Sequence, residues 1–135
     1  MSVRYTRALA SRREEHPMDM AAKLSDLRVA LPGCHVAAFV DLSAKMVMAH
    51  DARSKAPQER LDDLAERALR LITMPGVAEP AQDHAICVSA DNLEIFLRAD
   101  PASDDSLVLV CGLRTEVTKA VETGLTLLKE FAADA

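Results

Sequence analysis

The spacing of apolar positions changes several times along this chain, and each change predicts a switch between helix and strand. In the first patterned segment, apolar residues recur every three or four positions, which is the spacing of one helix face. These residues are Met20, Leu24, Leu27 and Leu31. Pro32 and Gly33 follow and end such a helix. The pattern therefore predicts a first helix over about 18–31.

Two later segments show the same helical spacing. Pro57 suits the first turn of a helix, and the apolar positions after it predict a helix over 58–72. Thr115 is a good N-cap, and the segment after it predicts a helix over 115–132. Gly124 lies on the apolar face of that last helix, where it costs about 1 kcal/mol relative to Ala. We therefore expect the helix to approach the sheet closely at this position.

Five short segments have the alternation or the continuous apolar run of a β-strand. The predicted strands are Cys34 to Asp41, Lys45 to Ala49, His84 to Ser89, Leu93 to Arg98 and Leu107 to Cys111. The first and the last are apolar on both faces, as expected in the interior of a sheet. The second is bounded by Lys45 and His50, which suit an edge strand, and its short connection to the first favours an antiparallel hairpin.

Together these elements give one α+β domain with the order α-β-β-α-β-β-β-α. The 135 residues suffice for a single domain with its own core, and half of them are hydrophobic. There is no Trp, and the aromatic residues are Tyr5, Phe39, Phe96 and Phe131. So few aromatic residues argue against base stacking, and a net charge of −5 argues against phosphate-backbone binding. We therefore expect no nucleic-acid partner.

The charge is distributed unevenly along the chain. The first 15 residues carry four Arg and two Glu, a net charge of +2, which leaves −7 on the remaining 120. We therefore divide the chain into a basic N-terminal extension over residues 1–17 and a folded domain over 18–135. Such an arm either contacts an acidic surface or forms a solvated extension.

The residues that carry chemistry are scattered. Cys34, Cys87 and Cys111 lie in apolar segments without a CxxC motif, so we expect buried, reduced thiols in a cytoplasmic protein. The four His lack metal-site spacing, and no glycine-rich phosphate motif or nucleophile motif occurs. We therefore expect no catalytic residue, no metal site and no cofactor. No segment approaches the roughly 18 apolar residues of a membrane span, and we expect no signal peptide and no membrane insertion.

Most of the chain, from Leu24 to Phe131, resembles the roadblock (dynein light-chain) family, whose fold is related to profilin-like and longin folds. Three segments carry the resemblance. They are Leu-Pro-Gly-Cys-His-Val-Ala-Ala-Phe-Val-Asp at 31–41, Leu-Asp-Asp-Leu-Ala-Glu-Arg-Ala-Leu at 61–69 and Leu-Val-Leu-Val-Cys-Gly-Leu-Arg at 107–114. The chain departs from the family in its basic extension and in its first hairpin turn, Leu42-Ser43-Ala44, where members often carry Gly.

The resemblance implies a five-stranded antiparallel sheet in the order 2-1-5-4-3, with one helix on one face and the two terminal helices on the other. Members of the family are typically dimeric, and many are scaffolds or regulators of Ras-like small GTPases. Some bacterial members stimulate GTP hydrolysis by their partner without supplying a catalytic residue. The resemblance therefore implies a non-catalytic, homodimeric interaction module with a small GTPase or a larger complex as its partner.

A conflict between the sequence and the implied strand order predicts the dimer interface. The strand at 84–89 is apolar on both faces, yet the resemblance places it at an edge of the sheet, where exposed apolar strands promote aggregation. Pairing with its own copy across a two-fold axis would cover it and bring the helix at 58–72 against its mate. The predicted interface residues are Leu61, Leu64, Ala68, Ala85, Ile86, Cys87 and Val88.

Two other functions stay open on the sequence. A sensor domain of profilin-like or PAS-like topology would bind a small ligand between sheet and helix, and it would need converging polar groups there. The inner positions of this chain are apolar instead. A small enzyme that uses Cys34 or Cys111 would need a thiol that is labelled rapidly at neutral pH.

Overall fold

The computed structural model of the protein describes residues 17–73, 83–100 and 102–134. In this part of the chain three helices and five strands follow one another in the order expected from the sequence. They are α1 (Pro17–Ala30), β1 (Cys34–Asp41), β2 (Met46–Ala52), α2 (Gln58–Ile72), β3 (His84–Val88), β4 (Asn92–Arg98), β5 (Asp105–Gly112) and α3 (Val117–Asp134). The predicted basic extension lies outside the described residues, except for Pro17.

The strands form one sheet in the order β2-β1-β5-β4-β3, and each neighbouring pair is antiparallel. This confirms the predicted class and strand order. β2 runs further than predicted, since Val36, Ala37 and Ala38 of β1 pair with residues at its C-terminal end. β5 begins earlier than predicted, because Asp105 pairs with Asp41. Both strands extend beyond their apolar runs because their backbones continue to pair with β1.

The two faces of the sheet carry separate cores. α2 covers one face, where Leu64, Phe96 and Val108 are buried in one apolar cluster. α1 and α3 cover the other face, where Leu24 and Leu109 belong to a second cluster. The predicted distribution of one helix on one face and two on the other is therefore confirmed.

α3 approaches the sheet closely at Gly124, as expected from the sequence. A Cβ atom at this position would clash with the side chain of Leu97 and lie 3.2 Å from Cδ2 of Leu107. Further along the helix, the ring of Phe131 meets Phe39 of β1 edge-on, with centroids 4.9 Å apart. The absence of a side chain at Gly124 thus allows the helix to lie directly on β4 and β5.

The first hairpin turn is built without glycine. Oδ1 of Asp41 accepts hydrogen bonds from the backbone N–H of Ser43 at 2.9 Å and of Ala44 at 3.1 Å, and from the Ser43 hydroxyl at 2.7 Å. Lys45 then takes the left-handed backbone conformation, with φ of 54°. The buried carboxylate of Asp41 therefore organises a turn in which a lysine occupies a conformation that favours glycine.

Candidate interaction surface

β3 is the outermost strand of the sheet beside β4. The register places Ala85 opposite Phe96 and Cys87 opposite Glu94, on the face that α2 covers. Ile86 is opposite Ile95, on the face that α1 and α3 cover. Among the described strands only β4 pairs with β3, so no described strand covers its outer backbone edge.

The two faces of β3 differ in how well they are covered. Ala85 and Cys87 are half-buried and pack against the cluster under α2. On the other face Ile86 is 39% exposed and Val88 is 67% exposed, although Ile95 beside them on β4 is fully buried. The layer of α1 and α3 therefore covers β4 but not β3. An apolar strip is left next to a strand edge that no described strand covers, as expected of a protein–protein contact.

The predicted helix residues are placed differently from the predicted strand residues. Leu61, Leu64 and Ala68 are 4%, 2% and 0% exposed, and Leu64 and Ala68 belong to the apolar cluster between α2 and the sheet. They are core residues of the single chain. The apolar stripe of α2 thus serves its own sheet, and a contact of these residues with a second copy stays a prediction.

One flank of α2 reaches towards β3 through Arg67. The Nη2 atom of Arg67 lies 2.5 Å from Oε1 of Glu94 on β4 and donates to the sulfur of Cys87 at 3.6 Å. The Asp63 carboxylate, one turn earlier on the helix, is 4.0 Å from the same guanidinium. Glu94 is only 9% exposed, and a buried carboxylate is costly unless a cation compensates it. Arg67 therefore joins α2 to β3 and β4.

Sequence reasoning missed Glu94. The alternation of Leu93, Ile95 and Leu97 suggests that the residues between them face solvent, but Phe96 is fully buried on that other face. The large apolar side chain of Phe96, between Ile95 and Leu97 in the sequence, was the signal that could have predicted that both faces of β4 are covered. The pair Asp63 and Arg67 fits a surface contact along the helix, whereas the structure directs Arg67 towards Glu94.

Two surface clefts lie beside α2. A cleft of about 280 Å³ at its N-terminal end is lined by His35, Lys55, Arg60 and Asn92, among others. A cleft of about 340 Å³ at its other end is lined by Lys45, Glu66, Leu69, Arg70 and Thr73. A sensor domain would hold its ligand between helix and sheet, and the buried side chains of the α2 cluster occupy that space. Both clefts lie outside it.

The described part of the chain lacks two kinds of feature. In 17–73, 83–100 and 102–134, no group of three or more His, Cys, Asp and Glu is placed so that it could hold a metal ion. Within the same ranges, none of the helices combines the length and the apolar character that a membrane crossing requires.

No protein-family model and no curated protein matches this sequence, but solved structures match its fold. The Roadblock/LC7 domain from Streptomyces avermitilis has a TM-score of 0.70 at 13% identity, over 84% of this chain and 94% of that one. A structure of MglB with tetrameric arrangement has a TM-score of 0.68 at 17% identity, over 89% and 90%. MglC from Myxococcus xanthus has a TM-score of 0.63 at 10% identity, over 84% and 97%. The protein therefore has the roadblock fold.

Proposed function

We propose that this protein is a non-catalytic, homodimeric interaction module that regulates or scaffolds a Ras-like small GTPase in the cytoplasm. One observation carries the proposal: Ile86 and Val88 are exposed on an edge strand of a roadblock fold, and no described strand pairs with the outer side of that strand. An exposed apolar edge is a liability for a monomer, and natural proteins cover such edges.

A second copy of the chain is the occupant that fits this edge. Two β3 strands that pair antiparallel across a two-fold axis would satisfy each other's outer backbone groups and join the two five-stranded sheets. Ile86 and Val88 of one copy would then lie beside those of the other. On the opposite face, Ala85, Cys87 and the flank of α2 around Arg67 would form the remainder of the contact.

The GTPase part of the proposal is supported by the roadblock fold, since many members of the family that the sequence resembles regulate Ras-like GTPases. The dimer part rests on β3 itself. The two parts are separable, because a dimer without a GTPase partner is a scaffold for some other complex.

Sedimentation equilibrium at micromolar concentration tests the dimer. The unmodified protein is expected to have twice the chain mass of 14.6 kDa. Val88→Lys should give a folded monomer, because it places a charge on the apolar strip of each copy. Val29→Lys is the matched control, since Val29 is 71% exposed on α1, and this variant should remain dimeric. A monomeric mass for the unmodified protein would contradict the proposal.

The GTPase partner is tested by affinity capture from the native host, followed by reconstitution with the purified candidate GTPase. A regulator should change the rate of GTP hydrolysis or nucleotide exchange, whereas a passive scaffold should bind without changing either rate. Val88→Lys shows whether this binding requires the dimer. Capture in which no small GTPase is enriched would contradict this part and leave the dimer result standing.

A further inference from the structure

Two of the three cysteines meet in the core. Cys34 of β1 and Cys111 of β5 are register partners on adjacent antiparallel strands. They are 1% and 0% exposed, both are free thiols, and each is the main influence on the pKa of the other. Residues that face each other in an antiparallel pair have Cα atoms about 4.5–5.5 Å apart, which is within the span of a disulfide.

The pair lies where both terminal helices join the sheet. Gly33 directly precedes Cys34, Gly112 directly follows Cys111, and the N–H of Gly112 donates to the carbonyl oxygen of Gly33 at 2.8 Å. The chain passes from α1 into β1 at this junction, and it passes from β5 towards α3 at the same place. A covalent bond between the two sulfurs would therefore fix the connections of both helices at one point.

We propose that Cys34 and Cys111 form a reversible disulfide site that closes when a hydroperoxide oxidises the pair and opens under thiol reductants. The site does not depend on the proposed dimer, since β5 and β1 are separated from β3 by β4. Cytoplasmic thiol pools keep such a pair reduced in ordinary conditions, so the bond would form during oxidant exposure.

The two sulfurs have different roles in the reaction. The hydrogen bond with Cys111 raises the pKa of Cys34, and burial adds to this effect. The same hydrogen bond lowers the pKa of Cys111, while burial opposes it. Because the thiolate is the reactive form, Cys111 is the sulfur that attacks the peroxide first.

The reaction balances with hydrogen peroxide as the oxidant. The Cys111 thiolate attacks one peroxide oxygen, the O–O bond breaks, and Cys111 becomes a sulfenic acid as hydroxide leaves and takes up a proton to form water. The Cys34 sulfur then attacks the Cys111 sulfur, the S–O bond breaks, and a second water leaves. Two thiols lose two electrons and two protons in total, and one peroxide is reduced to two waters.

The third cysteine provides an internal control. Cys87 is half-buried at the edge strand, on the face that α2 covers, whereas the pair belongs to the core under α1 and α3. A Cys87→Ala variant therefore keeps the pair intact, and a Cys34→Ala variant removes one partner.

The full chain is treated with hydrogen peroxide, and the peroxide is then quenched. The protein is unfolded in the presence of N-ethylmaleimide, which alkylates the remaining free thiols, and intact and peptide masses are recorded. The unmodified protein should lose two of its three alkylatable thiols. The Cys87→Ala variant should lose both of its two remaining thiols. The new cross-linked peptide should join Cys34 to Cys111, and dithiothreitol should restore the free thiols. The closed form should melt roughly 5–15 °C higher, since the bond constrains a long loop of the unfolded chain.

Amide exchange at Cys34 and Cys111, followed in a parallel sample, shows when this part of the core has opened to solvent. If both thiols remain alkylatable after these amides have exchanged, the disulfide site is ruled out. A disulfide in which Cys87 takes the place of Cys34 or Cys111 also overturns the proposal. Cys34→Ala should yield no intramolecular bond, and such a bond in this variant would assign the chemistry elsewhere.

Discussion

Arg67 of α2 and Glu94 of β4 form a half-buried ion pair between a helix and a strand that are distant in sequence, with Nη2 and Oε1 2.5 Å apart. The guanidinium side chain is 33% exposed and the carboxylate side chain is 11% exposed. Since Arg67 also donates to the sulfur of Cys87, one side chain connects α2 to both β3 and β4. The position of the proposed interface thus depends on a polar contact as well as on apolar packing.

Removal of this cation should destabilise the protein. Arg67→Ala leaves the Glu94 carboxylate buried without its partner, and we expect a loss of roughly 1–3 kcal/mol of unfolding free energy. Glu94→Gln should cost less, because the charge that loses its partner is then that of Arg67, which is 33% exposed and lies 4.0 Å from Asp63. Urea unfolding in the monomeric Val88→Lys background measures both without a contribution from dimerisation. Arg70→Ala, on the exposed side of the same helix, is the control and should change stability by less than about 0.5 kcal/mol.

Leu109 should be essential for the core under α1 and α3. It lies in the middle of β5 with no exposed surface, so Leu109→Ala should cost roughly 2–5 kcal/mol. Leu113→Ala is the matched control, because Leu113 is 50% exposed just after the same strand. Denaturant midpoints compare the two variants, and similar small shifts for both would show that β5 is not central.

Gly124 should resist substitution even by a better helix former. Ala gains about 1 kcal/mol over Gly in a helix interior, but its Cβ would clash with the Leu97 side chain. Leu97 is fully buried and cannot move without disturbing the core, so we expect a net loss of roughly 1–3 kcal/mol. Thermal unfolding measures the sign. An increase in melting temperature would mean that α3 lies further from the sheet than this structure places it.

The first hairpin turn should become more stable with glycine at the strained position. Lys45 has a φ of 54°, which costs an L-residue about 1–2 kcal/mol and costs glycine nothing. Since glycine also increases the entropy of the unfolded chain, we expect a net gain of up to about 1 kcal/mol for Lys45→Gly. Lys55→Gly controls for the entropy effect and should be neutral or destabilising. An equal effect of both variants on the melting temperature would contradict the turn geometry.

The sequence by itself determined the element order, the edge position of β2 and the interior positions of β1 and β5. It could do so because apolar periodicity and two-sided apolar runs are local properties of a segment. The close approach at Gly124 was also predictable. Glycine weakens a helix, so a glycine on the apolar face indicates that close packing of a neighbouring element compensates the cost.

The tertiary structure alone decided which surfaces the apolar positions meet. The stripe with Leu64 is equally compatible with a sheet and with a second helix, and only the packed chain shows that it covers its own sheet. In the same way, the pairing of Arg67 with Glu94 and of Cys34 with Cys111 depends on strand register and helix placement. Those are fixed by the simultaneous packing of segments far apart in the chain, and no local pattern contains that information.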